Sequence, residues 1–319
     1  MLLTILIPTY NRANYLQKNL NELIEIIPAK YANEICIIIS NNCSSDNTIE
    51  VVNKAKSNSH ISINLFTQKE NIGLEKNALF VLEKATAEYV MYLGDDDYIS
   101  KHYFEKIYYL IKNVLEVSCI LPSIQAINSE GKIIEGRGRN LNEPNQEFVG
   151  GFDSAIKNFA YGHQLSGVVL KREGLLEAYV KANLQNIYPF MFFVGYNCLR
   201  GNLHHIKSDP IKVTVVDQVK KDWNYGRDGL FNERYRNSKA LFRKTLVNRI
   251  LAEQSLAKGY LSNFENYLNK GFLNLFYFIL GQIKGTDSTI YLKFTFLFYY
   301  LPYFFLRTFY RKLKTLFVK

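Results

Sequence analysis

Cysteine is scarce in this chain, four among 319 residues, and Cys36, Cys43, Cys119 and Cys198 share no paired spacing. A disulfide framework is therefore not expected, and the apolar neighbours of Cys36 and Cys119 suit reduced thiols. No zinc constellation is present either. His204-His205 has no second Cys or His at ligand spacing, which leaves a surface pair as the expectation. A glycine-rich phosphate loop with a lysine is missing, so a nucleotidyltransferase of that design gains no support. Repeats and low-complexity tracts are also missing. The amino terminus has no basic stretch and no cleavage site around its apolar run, so it reads as a strand and not a signal peptide. An unbroken apolar run of the about 20 residues that a spanning helix needs does not occur. The nearest to one, residues 291–310, is interrupted by Lys293 and Pro302.

What the chain does have is three consecutive aspartates, Asp95, Asp96 and Asp97, after the run Tyr89-Val90-Met91-Tyr92-Leu93-Gly94. A short apolar run closed by glycine reads as a buried strand with an abrupt stop. Three carboxylates at its exit repel one another unless a cation sits among them. Oxygen ligands of this kind suit a hard divalent ion shared with a substrate phosphate. The plain alternative is a solvated acidic turn that caps the next helix.

Upstream residues favour the first reading. Leu2 to Ile7 form an apolar strand ended by Pro8, and Asn11 or Asn14 can cap a helix reaching about Ile27 with Leu16, Leu20, Leu23 and Ile24 on one face. Glu34 to Ser40 is a second strand. The polar loop Asn41-Asn42-Cys43-Ser44-Ser45-Asp46-Asn47-Thr48 then leads to a helix from Ile49 to Lys56. Ile61 to Thr67 is a third strand, and Asn71-Ile72-Gly73 opens a helix to about Ala85. Strands alternating with helices predict an α/β fold, a Rossmann-like doubly wound and mostly parallel sheet with ligands at the carboxyl ends of its strands. Every polar cluster named here lies at such an end.

The order Pro8-Thr9-Tyr10-Asn11-Arg12, the Asn-Asn-Cys-Ser-Ser-Asp-Asn-Thr loop, Asn71-x-Gly73 with Asn77, and Gly94-Asp95-Asp96-Asp97 resembles family 2 glycosyltransferases with the GT-A fold. The likeness is to the small bacterial enzymes of O-antigen, capsule or lipooligosaccharide synthesis, and it weakens beyond residue 110. It implies an inverting transferase using a nucleotide diphosphate sugar as donor and a DXD-type site for Mg²⁺ or Mn²⁺. Pro8, Thr9, Tyr10 and Arg12 would line the nucleotide pocket, Asn41 and Asn42 would read the base, and Asp46 would hold its loop. Asn71, Gly73 and Asn77 would shape the pocket floor beside Asp95, with Asp96 and Asp97 on the metal.

Such an enzyme needs a general base for the acceptor hydroxyl. Relatives carry an acidic pair about twenty residues beyond the strand that here reads Leu165-Ser166-Gly167-Val168-Val169-Leu170. This chain has Asn186-Ile187-Tyr188-Pro189-Phe190 there, with no carboxylate. Asp153, His163, Asp217 and Asp222 are the candidates, His163 because it stands just before the Leu-Ser-Gly strand and an imidazole can change charge near neutrality, with a hydrogen-bonded structural histidine as the plain alternative. The lone tryptophan, Trp223, suits either an acceptor sugar or a structural anchor. Gly136-Arg137-Gly138-Arg139 reads as a solvated loop or a mobile one over the donor.

Charge is unevenly spread, with 21 Lys and Arg against 8 Asp and Glu from Arg200 onward, and 18 against 21 before it. The last fifty residues are rich in aromatics flanked by Arg307, Arg311, Lys312 and Lys314. That composition predicts helices lying in a membrane interface. Residues 1–228 are expected to form the catalytic domain, with a nucleotide-sugar half (1–110) and an acceptor half (111–228). Residues 229–319 would form a basic, aromatic, membrane-associated helical region. The resemblance then implies a lipid-linked saccharide acceptor and a peripheral place on the cytoplasmic face of the bacterial inner membrane. The alternative is a non-catalytic membrane-bound scaffold that binds nucleotide sugar or a partner enzyme. A nucleic-acid binder would explain the charge but neither the aspartates nor the apolar tail.

Overall fold

The chain begins with β1 (Leu3–Thr9), α1 (Ala13–Ile26), β2 (Ile35–Asn41), α2 (Thr48–Ser57), β3 (Ser62–Thr67), α3 (Leu74–Lys84) and β4 (Tyr89–Tyr92). It continues through α4 (Lys101–Asn113), β5 (Val117–Ile127), β6 (Ile133–Arg139), β7 (Gln146–Phe148) and α5 (Phe152–Asn158). Then come β8 (Val169–Lys171), α6 (Leu175–Ala182), α7 (Phe190–Cys198), β9 (Asn202–Thr214), α8 (Gly229–Leu241) and α9 (Leu246–Asn269). This computed structural model describes all residues except 142, 185, 187, 188, 216–228, 270–275, 277, 278, 281–286, 304, 308 and 311–319. For 229–232 and 258–269 it describes the backbone alone. Two units are defined, 1–219 and 220–319. That division and the boundary expected at 228 both fall outside the described residues.

The first unit is built on a nine-stranded sheet in the order β3-β2-β1-β4-β8-β5-β9-β7, with β6 against β5. The β2 run Ile-Cys-Ile-Ile-Ile-Ser-Asn is buried at every position, as an interior parallel strand covered on both faces requires. Its neighbour β1 runs parallel in register from Leu3↔Ile35 to Thr9↔Asn41, and β4 pairs parallel with β1 from Leu3↔Tyr89 to Leu6↔Tyr92. The carboxyl ends of β1, β2 and β4 thus share one edge. β8 is inserted antiparallel between β4 and β5, and β9 returns parallel to β5. The sheet is therefore mixed but mostly parallel. The strand-helix rhythm predicted β1 to β4, and β8 overlaps the stretch Leu165–Leu170 read as a strand, whereas β5, β6, β7 and β9 lie beyond that rhythm.

Strands and helices of the first half fall within a residue or two of their expected bounds, but the start of α1 differs in its cause. Neither Asn11 nor Asn14 caps it. Asp46, from the loop after β2, accepts the Ala13 N–H at 2.9 Å, while Asn11 adopts a left-handed φ of 52°. Asn11 ties the two loops together, donating its N–H to Ser44 Oγ at 2.9 Å and accepting the Ser45 N–H at 2.8 Å.

Two expectations for the second half are corrected. His204-His205 is not a surface pair, because β9 lies inside the sheet between β5 and β7. His205 is 2% exposed, with its ring 5.1 Å from that of Tyr161 and Asn140 Nδ2 at 3.2 Å. Burial pushes its pKa down to about 4. Gly136-Arg137-Gly138-Arg139 is not a loop. It lies in β6, joined to β5 by a turn in which the Gly131 N–H donates to Asn128 O at 2.9 Å. Arg139 stacks on Tyr161 at 4.8 Å.

Behind β4, α7 is a plug of Phe190, Met191, Phe192, Phe193 and Val194, all buried. Phe190 meets Tyr92 edge-on at 4.7 Å between ring centroids. At Gly162 a Cβ would lie 2.4 Å from Phe190 O, so only glycine allows this approach.

In the second unit, the buried carboxylate of Glu253 on α9 organises the described part. It accepts Arg249 Nε at 2.9 Å and the Thr289 N–H at 2.8 Å, together with the Thr289 hydroxyl. Thr289 then caps the helix Ile290–Thr295, accepting the Leu292 N–H at 3.3 Å. That helix runs on into a π-helical turn, Phe296–Tyr300. Exposed on this stretch are Tyr291, Phe294, Phe298 and Tyr299, followed by Tyr303, Phe305, Leu306, Phe309 and Tyr310. Among the described residues, no helix is long and apolar enough to cross a membrane.

Candidate functional site

The last bond to β1 runs from the Leu93 N–H to Leu6 O at 3.0 Å, and Gly94 starts a turn closed by the Asp97 N–H to Gly94 O at 3.2 Å. A Cβ on Gly94 would meet Asp97 Oδ2 at 2.8 Å, so a side chain there would displace a carboxylate. Three elements pin the turn. Asn19 on α1 donates to the carbonyls of Gly94, at 3.1 Å, and Asp97. Ser166, just before β8, accepts the Gly94 N–H at 2.9 Å and donates to Asp97 Oδ2. Thr214 at the end of β9 donates its N–H to Asp97 Oδ1 at 2.8 Å and its hydroxyl to Asp96 O.

All three aspartates are buried, at 5%, 9% and 4% exposure for Asp95, Asp96 and Asp97. Burial raises the pKa of each. The charge of Asp96 raises Asp95 and Asp97 further, while Arg12 draws Asp95 and Asp96 down. Thr9 Oγ1 donates to Asp95 Oδ2 at 2.7 Å. Arg12 Nη1 lies 3.4 Å from Asp95 Oδ1 and closer to Asp96 Oδ2. Burial would lower the pKa of Arg12, but the two carboxylates outweigh it and leave it raised.

The same edge gathers the other expected donor residues. Pro8 does not end β1 as expected: it pairs with Ser40 inside the strand, and the Asn42 N–H donates to Thr9 O at 2.9 Å just before Tyr10. Asn42 Nδ2 donates to Asn71 Oδ1 at 2.8 Å, and Asn42 Oδ1 accepts the Ile72 N–H at 2.9 Å. Asn71 Oδ1 also accepts the Gly73 N–H at 2.9 Å, and Gly73 opens α3 with φ 82°. Asn41 Oδ1 accepts the Ser44 N–H at 2.9 Å. Asn77 clamps the end of β2, accepting Ser40 Oγ at 2.6 Å and donating to Ser40 O at 3.2 Å. Asp46 accepts the Thr48 N–H at 3.2 Å as well as that of Ala13, so one carboxylate starts both α1 and α2.

The donor set fits a divalent cation at Asp96. It is a buried carboxylate among like charges, a hard-oxygen ligand that meets Arg12 through Oδ2. Asp97 has one hydrogen bond on each oxygen, from Ser166 and Thr214, and these fix the turn that presents Asp96. No group of three or more His, Cys, Asp or Glu arranged to hold a metal by themselves occurs among the described residues. An ion here would share its shell with a ligand.

The base candidates scatter. Asp153 lies in the first turn of α5, preceded by Gly150 and Gly151, whose N–H groups bond Asn202 Oδ1 at 3.0 Å and Cys198 O at 2.7 Å. Asn202 opens β9, so Asp153 belongs to the opposite edge of the sheet from Asp95. His163 is half-buried and ends a 3₁₀ turn three residues before Ser166. Asp217 and Asp222, like Trp223, lie outside the described residues. One carboxylate the sequence did not single out stands where the acidic pair is missing. Glu75, in the first turn of α3, accepts the Tyr179 hydroxyl and the Asn186 N–H, the latter at 3.0 Å, both on Oε1. Tyr179 and Asn186 are 104 and 111 residues away in the chain, a separation that periodicity cannot bridge.

A carboxylate turn and a polar cradle thus meet at the carboxyl edge of a mostly parallel sheet, the edge at which α/β folds bind their ligands. The family model for Glycosyl transferase family 2 matches residues 4–166, and the chain belongs to that family. An abequosyltransferase of Salmonella typhimurium, RfbV, is 34% identical over 101 residues, 32% of this chain and 30% of that protein. The Staphylococcus aureus poly(ribitol-phosphate) β-N-acetylglucosaminyltransferase TarS is 29% identical over 102 residues, 32% of this chain and 17% of that protein. The matched stretch thus spans less than a third of either relative. In structure, residues 1–349 of S. aureus TarS, solved with UDP-GlcNAc, superpose with a TM-score of 0.66 at 16% identity. That match covers 92% of this chain and 83% of that one, and shows a shared GT-A fold.

Proposed function

We propose that this chain is an inverting glycosyltransferase that moves a sugar from a nucleoside diphosphate to a hydroxyl of a lipid-linked saccharide in surface glycan synthesis. The observation that carries this reading is the convergence of Thr9, Arg12, Asp95 and Asp96 at one sheet edge beside Asn42 and Asn71. Asp96 is the residue to hold Mg²⁺ or Mn²⁺, on a turn fixed by Asp97. When bound, such an ion neutralises charge building on the leaving diphosphate, worth several kcal/mol in the transition state. Arg12 adds a cation whose fork geometry suits phosphate. Asn41 Nδ2 is a donor without a partner among the described residues and Asn42 shapes the edge through Asn71, while burial of the aspartates keeps water from weakening these charges.

The aromatic face of residues 291–310 suits the interface of the membrane on which such an acceptor sits, at the cytoplasmic leaflet. Each basic residue near an anionic leaflet adds about 1 kcal/mol. One observation favours the scaffold alternative, the absence of any carboxylate from Asn186 and its immediate neighbours. Incubation with UDP-, GDP- and TDP-hexoses, Mn²⁺ and a polyprenyl-diphosphate-linked saccharide decides between them. Acceptor-dependent release of one nucleoside diphosphate, with an inverted anomeric centre, is expected. Donor binding without release under any acceptor condition would favour the scaffold.

A further inference from the structure

We infer that Glu75 is the general base of the transfer reaction, a role that rests on the glycosyltransferase reading above. A parallel β-α-β unit returns the chain from the carboxyl edge of β3 to the amino edge of β4, so the first turn of α3 lies at the edge that presents Asp95. Two bonds fix how α3 sits there. Asn77 clamps Ser40 at the end of β2, and Ala78 O accepts the Tyr92 hydroxyl at 2.9 Å. Glu75 comes two residues before Asn77. It lies about 3 Å further toward the open edge and roughly 200° around the helix axis. It therefore turns away from β2 and toward α6 and the segment at Asn186, where Tyr179 and the Asn186 N–H meet it.

The two oxygens of Glu75 are unlike. Oε1 takes both donors, which fixes the plane of the carboxylate, and Oε2 forms no hydrogen bond among the described residues. A carboxylate held on one oxygen and open on the other is a proton acceptor in a set orientation. Tyr179 is anchored in turn, its ring edge-on to Phe193 at 5.4 Å, while Phe193 stacks with Tyr92 at 6.0 Å. Tyr92 precedes Asp95 by three residues, so the base and the carboxylate turn are referred to one packed frame. In the reaction the acceptor hydroxyl oxygen bonds to the anomeric carbon while the bond from that carbon to the diphosphate oxygen breaks. The electron pair leaves with the nucleoside diphosphate, and the hydroxyl proton goes to Glu75 Oε2. Tyr179 and Asn186 are positioning residues. An α3 carboxylate thereby stands in for the acidic pair this chain lacks near residue 186.

Glu75→Gln is the direct test, because the amide oxygen still accepts from Tyr179 and Asn186 but the side chain cannot take a proton. Turnover of the nucleotide sugar that the wild type uses should fall about 10²–10⁴-fold. The thermal response to the matching nucleoside diphosphate with Mn²⁺ should be unchanged. Tyr179→Phe should lower kcat while leaving the KM for the nucleotide sugar unchanged, since Tyr179 orients the carboxylate and touches no donor group. Wild-type kcat and an intact acidic limb of the pH–kcat profile in Glu75→Gln would overturn the assignment. So would loss of that limb in His163→Gln with Glu75→Gln unaffected, or equal unfolding of Glu75→Gln and Glu75→Ala, which would make Glu75 a structural tie. A wild type that binds but never turns over would contradict the transfer reading itself, before any variant is compared, and this role with it.

Discussion

Arg12 Nη1 bridges Asp95 and Asp96, lying 3.4 Å from Asp95 Oδ1 and nearer still to Asp96 Oδ2. The residue before it, Asn11, makes this possible. Its left-handed backbone turns the chain sharply out of β1, so that Arg12 reaches back over the edge it has just left. The guanidinium offsets part of the rise that burial imposes on the pKa of both carboxylates. Arg12→Gln removes that compensation. With the arginine side chain 31% exposed, the loss should lie between surface and buried values, roughly 1–3 kcal/mol. Differential scanning calorimetry should show the deficit, and Mn²⁺ should recover more of it in the variant than in the wild type.

Asp96→Asn tests the reactive end of the turn. Nucleotide-sugar turnover should fall at least about a hundredfold, because several kcal/mol of transition-state stabilisation is lost. The thermal midpoint should be unchanged or higher, since one buried like charge is gone. A midpoint lowered as far as that of a core truncation would make the turn structural.

The carboxylate turn also sets a pH dependence. Folded-state pKa values of Asp95 and Asp97 are raised to about 7 by burial and by Asp96. The folded state therefore binds more protons than the unfolded one between roughly pH 4 and 7. In chelator-treated protein this contribution lowers stability as pH rises through that window. His205 acts the other way, because its folded pKa is depressed to about 4. Its contribution is present above about pH 6.5 and lost as pH falls toward 4. Asp95→Asn isolates the first effect. It should match the wild type near pH 4 and exceed it in thermal midpoint near pH 8, and a pH-independent difference would contradict the account.

Glu253→Ala should damage the second unit. The buried carboxylate, 0% exposed, is the shared acceptor of Arg249 and Thr289. Removing one partner of a buried, hydrogen-bonded pair typically costs about 3–5 kcal/mol. Limited proteolysis should cut within residues 229–319 first.

The aromatic face can be read out on vesicles. Replacing Phe294, Phe298, Tyr299 and Leu306, all more than half exposed, with serine should weaken co-sedimentation with anionic vesicles while leaving the nucleotide response intact. Undiminished sedimentation of the fourfold variant would contradict membrane docking by this face.

The sequence made the first half of the fold legible because its signals are local. The β2 apolar run, Gly73 before α3 and Gly94 after β4 each mark an element end without reference to anything distant. The turn at Asp95 was legible for the same reason. What stayed hidden depends on partners far along the chain. Asp46 rather than a neighbouring asparagine starts α1, His205 is enclosed by strands contributed from elsewhere, and Glu75 becomes notable only when Tyr179 and Asn186 are folded against it. Asp97 reads in sequence like Asp96, and only Ser166 and Thr214 separate their roles.

The central claim is that the edge formed by Thr9, Arg12, Asp95 and Asp96 binds a nucleoside diphosphate. A thermal-shift panel of UDP, GDP, TDP and CMP, each with and without Mn²⁺, tests it directly. One nucleoside diphosphate at 100 times its dissociation constant should add about 2.7 kcal/mol of stability. That gain should need Mn²⁺ and vanish in Asp96→Asn. No response to any nucleotide, with or without the metal, would contradict the account and leave Asp95 to Asp97 as an acidic turn held by Arg12.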